Sequence, residues 1–390
     1  MHFLLMQDLD LKDKKVLIRE DLNVPVHNGE IADDSRIKAA LPTIALALEK
    51  GARVLCISHL GRPQEGEFDP QFSLEAVAKK LAELLGKPVR FVKDWIDGVE
   101  LQPGEVAVGE NVRFLVGESA NDLMLAKRMA MLCDVFVMDA FATAHRAQAS
   151  TYGVAEFAPV AAAGLLFAKE VEALSKAVEH PERPLAAVVG GAKVSSKLSL
   201  LKGLLQKVDL LIPGGGIANT FLKAQGIEVG RSLFEPDLVD EAKSILGAAR
   251  AKGIDVLLPD DVVVTDDLKD GANGKVKAIA NVGVNDIIAD IGPESIRRYA
   301  ERLAQVKTAV WNGPLGVFEY APFAEGTKAI GQAIAQCAFS IAGGGETVEA
   351  IHRFNIEGIG YISTAGGAFL EFLEGKELPA IAILEKRARS

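Results

Sequence analysis

The chain is 390 residues long, with 49% hydrophobic residues, 25% charged residues and a formal net charge of −10. That length exceeds one ordinary α/β core and predicts two domains, and the composition is that of a globular protein. The negative charge excludes a general nucleic-acid binder, and no run approaches ~18 uninterrupted apolar residues, which excludes a membrane-spanning helix.

The start, MHFLLMQDLDLKDKK, lacks a basic n-region, a full apolar h-region and a small-residue cleavage site, so no signal peptide is expected. Short β-branched, apolar runs then alternate with helical patterns. The first half predicts strands in residues 15–21 (KVLIRED), 53–59 (RVLCISH), 105–114 (EVAVGENVRF) and 134–141 (DVFVMDAF). Between them, residues 73–86 and 121–132 place apolar residues at helical spacing. A polar helix over 169–180 ends at Pro181 and Pro184, and the domain junction is placed on or beside it.

The second half predicts strands in residues 185–191, 210–216, 255–264 (DVLLPDDVVV), 308–314, 339–345 and 359–364, with helices over 241–253 and 295–305. Strand–helix alternation in both halves implies an α/β protein of two doubly wound, Rossmann-like parallel-sheet domains separated by a cleft. Cys56, Cys133 and Cys337 sit in or beside apolar runs without metal-ligand spacing. They read as reduced, buried thiols of a cytoplasmic protein.

Polar residues and glycines collect where the strands end, which is where open parallel sheets bind ligands. In the first half these are cations: Arg36 at a helix start, His59 and Arg62, Arg113, and Arg146. A guanidinium offers a planar fork of donors that matches carboxylate and phosphate oxygens, so the set points to a small anion. His59 and His145 read either as general bases or as hydrogen-bonding or positively charged wall residues. Asp21 and Asn23 read either as ligands for hydroxyl groups or as an Asx turn ahead of Pro25.

In the second half three glycine loops precede helical patterns: residues 214–219, 343–347 and 363–368. Helix N-termini with close backbone approach suit phosphate. No segment matches the standard P-loop or the dinucleotide fingerprint. Lys193 and Lys197, four apart, would share a helix face and neutralise a phosphoryl group, or form a solvated helix start. Glu346 could contact Mg²⁺ or simply match the charge of a helix N-terminus.

Nine segments, in order along the chain, resemble the phosphoglycerate kinase family: residues 19–25 (REDLNVP), 58–63 (SHLGRP), 109–114 (GENVRF), 139–150 (DAFATAHRAQAS), 190–197 (GGAKVSSK), 213–222 (PGGGIANTFL), 311–319 (WNGPLGVFE), 343–347 (GGGET) and 363–376 (STAGGAFLEFLEGK). The resemblance is greatest to bacterial members. It implies reversible phosphoryl transfer from 1,3-bisphosphoglycerate to ADP, giving 3-phosphoglycerate and ATP, by hinge closure and in-line transfer to a carboxylate.

On that resemblance Asp21, Asn23, Arg36, His59, Arg62, Arg113 and Arg146 bind phosphoglycerate. Lys197, Glu319, Gly344, Gly345, Glu346 and Thr347 bind nucleotide, with Glu319 at the ribose and Glu346 towards Mg²⁺ that arrives as MgATP or MgADP. Lys193, Gly366 and Gly367 lie near the phosphoryl group in flight, with Arg36 facing them. Residues 1–170 form the phosphoglycerate domain, to which a tail of residues 378–390 returns, and 171–377 form the nucleotide domain. The partners are small molecules, without nucleic acid or membrane, and the protein is a cytoplasmic monomer.

Three positions depart from the family pattern. Glu346 replaces the usual Asp, and Ala142 and Ala365 replace glycines. An added methyl is tolerable unless the backbone there needs positive φ. Two other readings predict different residues. A catalytically dead relative that only binds nucleotide or a protein partner would lack Arg36, Lys193, Lys197 or Glu319. A two-lobed dehydrogenase would carry the dinucleotide fingerprint.

Overall fold

The structure, a computed structural model, describes residues 2–269 and 271–389. The chain divides into two compact units, Met1–Glu172 with Glu377–Ser390, and Ala173–Lys376.

The first unit contains strands β1 (Lys15–Arg19), β2 (Val26–His27), β3 (Glu30–Ile31), β4 (Arg53–Ile57), β5 (Val89–Val92), β6 (Val106–Gly109), β7 (Val135–Met138) and β8 (Val160–Ala163). Its helices are α1 (Ser35–Glu49), α2 (Glu75–Leu85), α3 (Leu123–Ala130), α4 (Val154–Phe157) and the start of α5 (Leu165–Val178). Six strands form one parallel sheet in the order β5-β6-β4-β1-β7-β8. Val16, Ile18, Val54, Val108 and Val137 lie in one buried cluster with Ile37, Ile44, Val77 and Leu81 of α1 and α2. Burial on both faces explains why these strands read as continuous apolar runs rather than as alternating ones.

The second unit holds β9 (Leu185–Val189), α6 (Leu198–Leu204), β10 (Leu210–Pro213), α7 (Gly215–Ala224), α8 (Val239–Ala251), β11 (Asp255–Val256), β12 (Asp261–Thr265), β13 (Lys275–Ala278), β14 (Ile287–Ile291), α9 (Pro293–Leu303), β15 (Thr308–Asn312), α10 (Glu325–Ala335), β16 (Phe339–Gly343), α11 (Gly345–Arg353), β17 (Tyr361–Ser363) and α12 (Gly367–Leu373). Its parallel sheet runs β11-β10-β9-β15-β16-β17. Trp311 is 1% exposed and packs among Ile330, Ile334 and Ile351. The last helix, α13 (Pro379–Ala388), belongs to the first unit. The Ala380 N–H donates to the Ala144 carbonyl at 3.1 Å, and Lys386 pairs with Glu156.

Both sheets are doubly wound and parallel, as the strand–helix alternation predicts. Two details differ. The run 255–264, read as one strand, is two: β11 adds to the parallel sheet, while β12 centres an antiparallel sheet ordered β13-β12-β14. Pro259, lacking an N–H, stands between them and cannot continue a ladder. Strands β2, β3, β5, β8, β13 and β14 were not read from the sequence. Residues 161–163 are all alanine, which carries little β signal.

Candidate functional site

In each parallel sheet the chain leaves two neighbouring strands in diverging directions, a reversal of winding, at a central gap: between β1 and β7 in the first unit, and between β9 and β15 in the second. Carboxyl ends of strands beside such a gap form a ready ligand crevice.

In the first unit β1 delivers Asp21 and Asn23, β4 delivers His59 and Arg62, β6 delivers Arg113, and β7 leads to His145 and Arg146. Arg36, the second residue of α1, donates to Asp21 Oδ2 at 2.5 Å. Asp21 Oδ1 also accepts the Asn23 N–H at 3.3 Å, so the Asx turn exists alongside the ion pair. Asn23 Oδ1 accepts the Gly61 N–H at 2.9 Å, and Arg113 donates to the Gly61 carbonyl. The loop bearing Arg62 is therefore pinned from two neighbouring strand ends. Arg62 itself is exposed, and Arg146 lies 3.3 Å from His145 Nε2.

These cations converge. Burial, and then the nearby charges of Arg146, Arg19 and Arg62, push Arg113 down to about 10. It stays charged at neutral pH inside a field of like charge, so the site is organised in advance for an anion. His59 is 5% exposed and held well below the ordinary imidazole value, first by burial and then by Arg19, Arg113, Arg146 and Arg36. It is neutral. Its Nδ1 faces the Arg19 guanidinium at 3.2 Å, so Nδ1 accepts and Nε2 carries the proton. The reading of His59 as a positively charged wall residue is thereby corrected: it is a neutral hydrogen-bond donor at Nε2.

Arg19 was missed in the sequence because it lies inside a predicted strand. It is 0% exposed, and its Nε donates to Ser150 Oγ at 2.9 Å. Ser150 Oγ in turn donates to the buried Glu118 at 2.5 Å. The signal was present: a charged residue directly after an apolar run, at the end of a buried strand, must find compensation.

In the second unit the backbones of β9 and β15 close the gap tightly. A Cβ on Gly190 would fall 1.7 Å from the Pro314 carbonyl oxygen. Beside this contact lies a cavity of about 220 Å³, bounded by Gly191, Gly215, Gly216, Leu315, Glu319 and Glu346. All three glycine loops lead into helices, namely α7, α11 and α12. Gly344 has φ +97° immediately before α11, a conformation that L side chains resist. Gly366 and Gly367 form the turn into α12, and Gly345 and Glu346 open α11. Thr347 Oγ1 accepts the Gly313 N–H at 2.7 Å, so its hydroxyl braces the loop after β15.

Lys197 is half-buried and donates to Asn312 Oδ1. Burial lowers its ammonium from the ordinary value, while the charges of Glu346 and Glu374 oppose that shift. The expectation that Lys193 and Lys197 share a helix face is corrected. Both precede α6, which begins at Leu198. The fully buried Val194 anchors a turn that leaves Lys193 exposed and turns Lys197 inward. Asn312, also missed, ties this lysine to the phosphate-type loop through Nδ2 to the Gly343 carbonyl at 2.7 Å. Ala142 and Ala365 are absent from the positive-φ positions, so their methyl groups bring no backbone strain.

One unit thus presents converging cations. The other presents a glycine-walled cavity with helix starts and an inward lysine. Such a pair defines a doubly wound α/β phosphotransferase that handles a small anionic substrate and a nucleotide.

Comparison with known proteins makes the assignment specific. The phosphoglycerate kinase family model matches residues 6–376. A phosphoglycerate kinase of Legionella pneumophila (strain Corby) is 59% identical over 100% of this chain and 99% of its own length. One from Francisella tularensis subsp. novicida is 57% identical over 100% of both. The solved phosphoglycerate kinase structure from Coxiella burnetii superposes with TM-score 0.97 at 56% identity, over 99% of this chain and 100% of that one. That from Pyrococcus horikoshii gives TM-score 0.81 at 34% identity, over 99% of each. The chain belongs to the phosphoglycerate kinase family. Its reaction is the reversible glycolytic transfer of a phosphoryl group from 1,3-bisphosphoglycerate to ADP, giving 3-phosphoglycerate and ATP, and the acceptor in reverse is a carboxyl group.

Proposed function

We propose that the first unit binds the phosphoglycerate and the second the nucleotide, with transfer after hinge closure. The observation that carries this reading is the convergence of Arg19, Arg36, Arg113 and Arg146 on a neutral His59. Asp21, Asn23, Arg36, His59, Arg62, Arg113 and Arg146 hold the acid, with His59 Nε2–H donating to one of its oxygens. Lys197, Glu319, Gly344, Gly345, Glu346 and Thr347 hold the nucleotide. Arg36, Lys193, Gly366 and Gly367 surround the phosphoryl group in transfer.

In the direction of ATP use, a carboxylate oxygen of 3-phosphoglycerate attacks the terminal phosphorus. A new P–O bond forms as the bond to the ADP oxygen breaks. The carboxylate is already ionised at neutral pH, with a reference pKa of about 4 for carboxyls, so no general base is required. Catalysis is then alignment and charge neutralisation by Arg36, Lys193 and the N–H groups at the starts of α11 and α12. Closure also excludes the water that would hydrolyse the acyl phosphate.

Magnesium enters on the nucleotide, as part of that substrate. The described residues hold no cluster of three potential metal ligands, and Glu346 lines the cavity along with Glu319 and Asp290. A single carboxylate suits Mg²⁺, which keeps water and phosphate oxygens in its shell. We further propose a cytoplasmic monomer. Free, buried Cys56 and Cys133 support a reducing compartment, and among the described residues no helix is long and apolar enough to cross a membrane. A coupled assay with 3-phosphoglycerate, MgATP, NADH and glyceraldehyde-3-phosphate dehydrogenase tests the site. Turnover that survives Arg36→Ala or Lys193→Ala would remove that residue from the transfer step.

A further inference from the structure

Two carboxyl groups behind the cationic site have no part in the mechanism above. Glu20 directly follows β1 and Asp139 directly follows β7, the strands on either side of the winding reversal. Both are 0% exposed. The Asp139 N–H donates to the Arg19 carbonyl at 2.9 Å, which keeps the two strand ends in register.

Asp139 grips the start of α5. Its Oδ1 accepts the Phe167 N–H at 3.0 Å, while Thr43 Oγ1 of α1 accepts the Leu165 N–H at 3.1 Å. The approach is so close that a Cβ on Gly164 would lie 2.2 Å from Asp139 Oδ1. Helix α5 runs from Leu165 to Val178 and so continues through the unit boundary between Glu172 and Ala173.

Both oxygens of Glu20, and Oδ2 of Asp139, meet no N–H or hydroxyl donor. The two carboxyl groups lie within hydrogen-bonding reach of each other. Two buried carboxylates in contact cannot both carry charge, and a proton held by one satisfies the other. Asp139, at a helix N-terminus, is the better place for the negative charge. Glu20 is therefore the donor.

We propose that Glu20 is a positioning residue for phosphoryl transfer: its carboxyl proton bridges to Asp139 and ties the strand end that carries Asp21 and Asn23 to the start of α5. Occupancy of the acid site is thereby coupled mechanically to the helix that leads into the second unit. The inference rests on the placement of phosphoglycerate at Asp21 and Asn23.

The groups facing the pair are Arg19 and Asp21 beside β1, Cys56 of β4, Thr43 of α1 and the first N–H groups of α5. Burial, followed by the charges of Asp139 and Asp21, raises Glu20 well above the carboxyl range, while Arg19 opposes this. The bridge therefore persists at neutral pH and opens as pH rises through that value.

The test compares wild type, Glu20→Leu, Glu20→Gln and Asp21→Ala in the coupled assay, from neutral to alkaline pH. Glu20→Leu removes the donor and is expected to lower kcat about tenfold with both KM values nearly unchanged, the pattern of a lost transfer-step interaction. Glu20→Gln donates without titrating, so it is expected to restore kcat and remove the alkaline decline that wild type shows. Wild-type kcat in Glu20→Leu, an effect confined to KM, or failure of Gln to rescue would each overturn the proposal. Should the Leu variant not fold, an alkaline limb of Glu20→Gln identical to that of wild type overturns it. Asp21→Ala with an unchanged KM for 3-phosphoglycerate refutes the substrate placement instead, and is read separately from the Glu20 series.

Discussion

His59 Nδ1 lies 3.2 Å from Nη2 of the buried Arg19, so this guanidinium sets the tautomer of the imidazole. The same Arg19 reaches Glu118 through Ser150 Oγ. Arg19→Met removes the partner of the imidazole and takes the largest counter-charge from the buried Glu118, leaving it only its hydrogen bonds from Ser150 and the weaker charge of Arg113. The expected loss is about 3–5 kcal/mol of stability, measured by urea unfolding at neutral pH. A loss below about 1 kcal/mol would show that Glu118 is served by Ser150 alone.

The neutral His59 has a pH signature. Its folded value is depressed, so the unfolded chain takes up the proton first as pH falls. Stability is then lost from about pH 6.5 downward until the folded value is reached, at on the order of 1 kcal/mol per pH unit within that window. His59→Gln lacks this term. The stability gap between variant and wild type should shift in favour of the variant between pH 7 and pH 5, by roughly 1–2 kcal/mol. Equal slopes in the two proteins would mean that His59 titrates normally.

Asn312 holds Lys197 with one side-chain atom and the Gly343 carbonyl with another. Asn312→Ala should therefore raise KM for MgATP about tenfold, the effect of losing on the order of 1 kcal/mol of alignment, and leave KM for 3-phosphoglycerate unchanged. Steady-state kinetics with each substrate varied in turn check this. A matching rise in both KM values would point to a general loss of folding.

Glycines in the second unit separate space from chemistry. Gly190→Ala drives a methyl into the Pro314 carbonyl at 1.7 Å, backbone against backbone, and should destabilise the protein by about 3 kcal/mol or more. A Cβ at Gly345 meets nothing within 4 Å. Gly345→Ala should keep the wild-type melting temperature and weaken nucleotide binding, because its methyl stands at the start of α11. Thermal melts with and without MgADP distinguish the two.

Glu346→Asp shortens a side chain at the cavity edge without touching the cationic site. A Mg²⁺ titration at constant ATP should shift its midpoint while KM for 3-phosphoglycerate stays constant. An unchanged titration counts against a role for Glu346 near the metal.

Much of the site was legible because strand ends mark themselves. The apolar runs stop at residues such as Asp21, His59 and Gly190, where burial on both faces ends and ligands can approach. Glycines before α7, α11 and α12 were legible because a strand-to-helix turn with close backbone approach restricts residue type. Lys193 and Lys197 were misread, since their spacing suits a helix equally well whether or not one forms there. The burial of Arg19 was hidden for a related reason: among the four charges of KVLIRED the sequence does not say which is buried or which distant residue compensates it.

By itself, then, the sequence determined two doubly wound halves, the strand-end positions of their polar residues, and the family. These follow from local rules of periodicity, turn chemistry and apolar content. Only the tertiary structure decided that β12 leaves the parallel sheet, that burial beside Arg19 keeps His59 neutral, that Lys197 turns in to Asn312, and that Glu20 meets Asp139. Each of these joins residues far apart in the chain, and their energies depend on burial and on which strands lie side by side, quantities that exist only once the sheets have formed.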